Sequence, residues 1–482
     1  MEKLKKRNNL FFSFIVDKQT MNTRTIITSL AILFATYSYA QQEIVNKISQ
    51  EVLTNNKAYD NLKLATETIG HRATGTTNGK KAEDFAANLL KSYGFDVEFQ
   101  EFTFNGWDRK SLKLTIDGKD IESVALAHSP AKAKLKGELI DLGNGLEEDY
   151  IHVKEQVKGK IVFAALGLLD GTSKDVKNLH RSEKTALAEK YGAKGIILFN
   201  KAKGEILLTG TASVTGDIIK IPAINISYED GIEIKNKLAS NIISSSIDMK
   251  NKVGKMKGRN VIARLSGSEL PYEKIVLGGH LDSWDLATGA IDNGVGSFSV
   301  IDVARTYKNL GLENKRTIEF VLFMGEEVGL LGSKHYVKEA IKNGTFENIK
   351  AMSNMDMTFD PKAYYSSMQE NLPALETYAK DMQSVIPDFE VKSFTSVDLH
   401  SDHQPFMLQG TPIIGLSKSK FLAGALDCYH ANCDEMKYVT KEGLINNVRA
   451  STYLIYQLSN SNEIHLKNWN ETQIKEELIK AN

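Results

Sequence analysis

The chain has 482 residues, 42% of them apolar, enough to bury a substantial core and to form two or three domains. Sixty basic residues balance 60 acidic ones, so no net field favours nucleic acid or an anionic membrane surface. The two cysteines, Cys428 and Cys433, fall in one hexapeptide, CYHANC, which is neither a disulfide scaffold nor the paired C-x-x-C pattern of a structural metal site.

In chain order, the basic run KLKKR (Lys3 to Arg7) reads as a targeting flank. From Met21, a candidate second start, MNTRTIITSLAILFATYSYA places Arg24 before an apolar stretch of signal-peptide length, with small residues at Ser38 and Ala40 for cleavage. Residues 1–40 are therefore expected to be an N-terminal signal segment, with a mature chain starting near Gln41 and secreted or periplasmic. The apolar run is short for a membrane span and no cysteine follows it to carry a lipid, so no stable membrane anchor is expected after its removal.

An α/β rhythm opens the mature chain. Ala82, Phe85, Ala86, Leu89 and Leu90 fall at helical spacing, Gly94 stops that helix, and Val97, Phe99 and Phe102 predict a strand. Between 123 and 256 the texture changes to short apolar strands bounded by glycines (GELIDLG, GKIVFAALG, GAKGIILFN), with a helix in SEKTALAEKYG and a further strand and helix in IPAINISYEDGIEIKNKL. His128, His152 and His180 stand alone there, so this inserted β-rich domain is expected to carry no chemistry of its own. The rhythm resumes at 257 and runs to 461, with strands at Asn260–Leu265, Lys274–Gly278, the mostly apolar RTIEFVLFM, Ile349–Met355 and Thr411–Leu416. Helices are predicted at Gly294–Leu310, Gly329–Ile341, Leu372–Val385 and Lys441–Leu458. Residues 41–122 and 257–461 thus form one α/β domain, and 462–482 a polar, peripheral tail. The fold class is a mixed, largely parallel sheet flanked by helices.

The stretch 274–304 carries the first chemistry. An apolar strand ends in Gly278-Gly279 and delivers His280 and Asp282; Asp292 follows in Asp-Asn-Gly, just before a helix. An open α/β sheet presents ligands in this way, at a strand's carboxyl end. RTIEFVLFM leads to Glu326-Glu327, whose side chains alternate in direction. KAMSNMD ends in Asp356 between two methionines, where an unpaired carboxylate is costly to bury. His430 lies on a polar loop, with Asp434 placed to support it. Two histidines (His280, His430) and three carboxylates (Asp292, Glu327, Asp356) exceed what one catalytic zinc uses; one bridging carboxylate with a pair of ligands on each of two ions uses all five. Glu326 is then the general base. Cys428 and Cys433 either close a small loop around His430 or remain two inert thiols.

The motifs HLDSWD…GAIDNG, GEEVGLLGS, NMDM, SDHQPF and YHANCDEM resemble the co-catalytic di-zinc aminopeptidase family, with greatest likeness to its plasma glutamate carboxypeptidase (carboxypeptidase Q) branch. The resemblance implies a secreted zinc exopeptidase acting on peptide substrates, with the 123–256 insert as a protease-associated domain; the oligomeric state is left open, an oligomer included. It implies two zinc ions, His280 and Asp356 on one, Glu327 and His430 on the other, and Asp292 bridging. Glu326 would be the base, Asp282 would orient His280, Tyr429 would stabilise the oxyanion, and His403 would lie on the substrate side. It also implies a disulfide between Cys428 and Cys433. Two other readings are a one-zinc glutaminyl-cyclase-like acyltransferase on the same fold, which needs no second ligand set, and a binding ectodomain, which would have lost ligands. The residues leave open whether N-terminal residues, C-terminal residues or dipeptides are the target. No G-x-S-x-G elbow or H-E-x-x-H helix occurs.

Overall fold

A computed structural model describes residues 41–481; the expected signal segment lies outside the described residues. After a helix over 41–55, Ala58–Thr68 (α1) and Thr77–Ser92 (α2) lead into a 20-residue strand, Val97–Ile116 (β1). Thr76 caps α2 by accepting from the Gly79 amide, and the chain leaves it through Gly94 at φ +84. The insert supplies Lys132–Asp141 (β2), Ile161–Ala165 (β3), Arg181–Lys190 (α3), Gly195–Phe199 (β4), Ala223–Ile226 (β5) and Tyr228–Leu238 (α4). The 22-residue strand Ser244–Leu265 (β6) returns to the first lobe, followed by Leu270–His280 (β7), Val295–Leu310 (α5), Arg316–Phe323 (β8), Leu331–Lys342 (α6), Ile349–Asn354 (β9) and Lys441–Asn460 (α7).

Among the described residues the main sheet has 11 strands, running β9-β7-β8-β6-β2-β3-β4-β5 with Ser123–Ala125 at the far edge and β1 branching from β6. β9, β7 and β8 are parallel neighbours, while β6 is antiparallel to β8 at one end and to β2 at the other. β1 lies antiparallel to β6 from Val97–Ala263 to Ile116–Ser245, with a bulge between Arg109 and Ser111. β6 therefore belongs to both lobes, and it passes through residues 256–257 without a break. The change of composition there has a simple origin. From Ser244 to Met256 its side chains are mostly alternately covered and exposed, and from Asn260 to Ala263 both faces are covered.

β8 is buried along its whole length, and β7 from Ile275 onward. Helices α1, α2, α5 and α7 pack with them into one apolar core that includes Leu62, Leu90, Phe298, Phe320 and Leu454. The insert has its own core around Ile161, Phe163, Ile197 and Ile224. In the tail Ile464 is buried, and Glu471–Ala481 is a helix of mixed charge. No helix among the described residues is long and apolar enough to cross a membrane.

Candidate metal centre

β7, β8 and β9 end together, and their carboxyl ends build the site. Close approach of β9 to β7 requires glycine: a Cβ on Gly279 would meet the Met355 carbonyl at 2.7 Å, and one on Gly296 would meet it at 2.0 Å. The gap is filled by Asn293, wholly buried. Its Nδ2 donates to the carbonyls of Met355 (2.7 Å) and His280 (3.3 Å), and its Oδ1 accepts from the amides of Met357 (3.0 Å) and Gly296 (3.2 Å). The turn before it is fixed from two sides. Arg72, from the GHRATGT stretch, donates to the carbonyls of Leu281 (2.6 Å), Thr288 (2.6 Å) and Gly289 (2.8 Å). Asp434 accepts from the amides of Ile291 (2.7 Å) and Asp292 (3.0 Å), so it supports Asp292 and not His430 as the sequence suggested. Arg72 and Asn293 were not singled out from sequence; the clustered turn residues GHRATGT and Asp-Asn-Gly were the only signals.

All five expected ligands converge. His280 Nε2 lies 3.2 Å from Asp292 Oδ1 and 3.3 Å from Asp356 Oδ1. His430 Nε2 lies 3.2 Å from Asp292 Oδ2 and 3.1 Å from Glu327 Oε2. Asp292 thus gives one oxygen to each imidazole. Asp282 Oδ1 is 3.7 Å from His280 Nδ1 and accepts from the Glu326 amide at 3.3 Å, joining a ligand to the expected base. Ser401 donates to Asp356 Oδ2 at 2.6 Å. His403, nearly buried, donates from Nε2 to the Asp398 carbonyl (2.6 Å) and lines, with Asp356, His400 and Ser401, a polar pocket of about 260 Å³; Ser401 is the residue of SDHQPF that donates to a ligand.

His430 has φ +55 and lies inside the loop closed by the Cys428–Cys433 disulfide, whose Cα atoms are 5.1 Å apart. The Tyr429 ring stacks on the imidazole at 3.8 Å, and the residue is 42% exposed at the rim. Glu326, Glu327, Asp292, Asp356, Tyr429 and His430 line a cleft of about 410 Å³. The insert, expected to carry no chemistry of its own, lines it too, through His180, Arg181 and Thr211. Arg181 Nη2 lies 3.3 Å from His430 Nδ1, and Arg181 Nε is buried without a partner.

The site's electrostatics suit a cation. Burial, with Asp356 and Glu327 beside it, pushes Glu326 well above the usual carboxylate range. Burial and Asp292 push Glu327 up to about 7. Burial resists charging of His280, but Asp356 and Glu326 outweigh it and hold the imidazole well above its ordinary value. Burial likewise resists charging of Asp292, yet His280 and His430 keep it below the carboxylate range. Glu326 and Glu327 thus favour their protonated forms in the absence of a cation, and a divalent ion beside them reverses that preference. Glu327 Oε1 is buried without a hydrogen-bond partner, which fits a metal ligand. His280, Asp292 and Asp356 form one group of donor atoms within 4.8 Å of one another, and Asp292, Glu327 and His430 a second. Separations of 3.1–3.3 Å between donors are those of a tetrahedral shell with bonds of about 2.0–2.1 Å.

An α/β sheet whose strand ends gather two imidazoles and three shared carboxylates, with a further glutamate in the same cleft, defines a metallopeptidase. Residues 260–455 match the family described as Peptidase family M28, and residues 135–234 match the PA domain. The catalytic stretch 260–455 is thus of the peptidase family M28 type, and the PA-domain match falls within the insert ahead of it. It is 26% identical over 443 residues to aminopeptidase YwaD of Bacillus subtilis (strain 168), covering 88% of this chain and 90% of that protein. It is 26% identical over 382 residues to carboxypeptidase Q of Xenopus laevis, covering 74% and 76%. The solved structure of a zinc aminopeptidase from Bacillus subtilis has the same fold, with a TM-score of 0.66 at 23% identity over 85% of this chain and 97% of that one.

Proposed function

We propose that the chain is an exported zinc exopeptidase of short peptides that holds two zinc ions. His280 and Asp356 would hold one ion, Glu327 and His430 the other, and Asp292 both. The observation that carries the reading is the division of the Asp292 oxygens between the two imidazoles, at 3.2 Å each. Bound zinc supplies Lewis acidity, lowering the pKa of water and polarising the scissile carbonyl. The chain's own groups do the rest. Glu326 takes the proton of the attacking water and passes it to the leaving amine. Asp282 holds His280 and the Glu326 backbone in one frame, and the Tyr429 hydroxyl at the rim serves the developing oxyanion.

Arg181 supports a finer reading. A neutral imidazole that offers Nε2 to a metal carries its proton on Nδ1, so His430 cannot accept from Arg181. The guanidinium then lacks an acceptor in the cleft, and a substrate's free carboxylate supplies one in bidentate form. Substrates with a free C-terminus close to the cleaved bond, dipeptides above all, satisfy it. Export rests on the segment from Met21 and is consistent with the disulfide.

Metal analysis is expected to give two zinc ions per chain. Glu326→Gln keeps both while the rate falls by about 10²–10⁴; zinc loss with unchanged turnover per bound metal would exchange the roles of Glu326 and Glu327. A dipeptide and its C-terminal amide separate the finer reading: amidation raises KM, and Arg181→Met removes the difference. Equal turnover of both by the wild type sinks the carboxylate role. N-terminal sequencing of exported protein should begin near Gln41.

A further inference from the structure

Four of the five ligands lie on strand ends and turns of a single sheet; Asn293, Asp434 and Arg72 tie the segments that carry His280, Asp292 and Asp356, and Asp282 holds the turn before Glu327. His430 is the exception. It sits on an irregular loop, in a left-handed conformation that costs a non-glycine residue about 1–2 kcal/mol and persists only where the surroundings impose it. The disulfide fixes the ends of that loop, and its middle is held by the inserted domain. The Thr209 amide donates to the His430 carbonyl at 2.8 Å. Leu208 and Ala431 form an antiparallel bridge. The Asn432 amide donates to the Leu207 carbonyl at 3.0 Å, and the Asn432 side-chain oxygen accepts from the Leu207 amide at 3.2 Å.

This segment is itself braced. Asn225, wholly buried on β5, accepts from the Leu208 amide (2.8 Å) and donates to the Leu198 carbonyl on β4 (2.9 Å), which connects it to the core of the insert. Arg109, on β1, donates to Thr209 Oγ1 (2.7 Å) and to Asp285 Oδ2 (2.7 Å), on the loop that follows β7.

We propose that the inserted domain is a positioning element of the metal centre: Leu207–Thr209 fixes the backbone of the His430 loop and so sets the affinity of the Glu327–His430 ion, leaving the His280–Asp356 ion unaffected. The inference rests on the two-ion reading above. Thr209 and Asn432 are its positioning residues. Neither touches a metal or substrate, and both act through the His430 backbone.

Zinc affinities of the purified full chain, measured by competition with a chromogenic chelator, test it together with the unfolding midpoint of the metal-free chain. Thr209→Pro removes the amide that meets His430 and is expected to weaken one ion at least tenfold while the other keeps its wild-type affinity. Asn432→Ala, a milder change suited to the case in which the proline variant does not fold, is expected to weaken the same ion about threefold. Asn432→Asp, which keeps the acceptor for the Leu207 amide, restores it. The metal-free midpoints of the two Asn432 variants stay at the wild-type value. Variants that bind both ions as the wild type does, or lose both equally, overturn the inference alone. A wild type that binds one ion or none overturns the two-ion reading and this inference with it.

Discussion

Asn293 follows a ligand and coordinates nothing, yet the ends of β7 and β9 and the start of α5 all meet on its side chain. Asn293→Ala removes the partner of two buried carbonyls, one buried amide and the part-buried Met357 amide, and a buried group left unpaired costs about 1–3 kcal/mol. The expected loss is about 3–5 kcal/mol of stability, read as a lowered denaturation midpoint, with reduced zinc retention on dialysis. An unchanged midpoint would show that water replaces the amide and that the strand ends need no such joint. The contrast with its neighbour shows what a sequence exposes. Asp292 was legible because carboxylate and imidazole chemistry limits which residues can bind a metal. Asn293 was not, since asparagine before glycine is equally well explained as an ordinary turn. Arg181 was hidden for another reason: an arginine at the start of a helix is common, and only the docking of one lobe on the other brings it beside His430.

At the level of elements, α3 carries a titratable group with a consequence for stability. Lys184 is fully buried, and its ammonium donates to the carbonyls of Ala165 (2.8 Å), Leu166 (3.1 Å) and Gly167 (3.4 Å). Burial lowers its pKa to about 8. The unfolded chain, with a lysine pKa of about 10.4, binds more protons than the folded one between those values. Stability contributed through this group therefore rises with pH from about 8 to about 10.4. The difference in denaturant midpoint between wild type and Lys184→Met, followed from pH 7 to 10.5, is expected to move in favour of the wild type across that window. A flat difference would place the lysine in a better-solvated setting than its three carbonyl partners indicate. Element positions themselves were well foretold in the buried sheet, where the apolar runs Ile275–Leu277 and Phe320–Met324 each end at glycine. β1 and the first half of β6 were read short because an alternating half-exposed strand, rich in lysine, gives a weak signal.

For the whole molecule, the ligands come from four separate stretches of chain, so bound metal joins parts that the sequence keeps far apart. Ions that bind only the folded state stabilise it by about 4 kcal/mol at a thousand times Kd. Chelation should lower the thermal midpoint of the full chain by several degrees, and returning zinc should restore it; an unaltered midpoint would mean that the sheet ends are held without metal. Because β6 is shared by both lobes, the metal-loaded chain is expected to show one calorimetric transition. Two well-separated transitions would mean that the insert melts independently of the strand it shares. The overall architecture was readable from the order of motifs. The contribution of the insert to the cleft was not, since it depends on how two cores are set against each other.

The long β1–β6 ribbon has a mechanical meaning. Both crossings of the chain between the lobes run along it, as two backbones hydrogen-bonded side by side, so no single loosened residue can act as a hinge. Bending is easiest where the pairing is already interrupted, at the bulge between Arg109 and Ser111. Arg109 is also the residue that grips Thr209 and Asp285 across the gap. The weak point of the ribbon thus carries its own clamp, and any opening of the cleft has to release that clamp first.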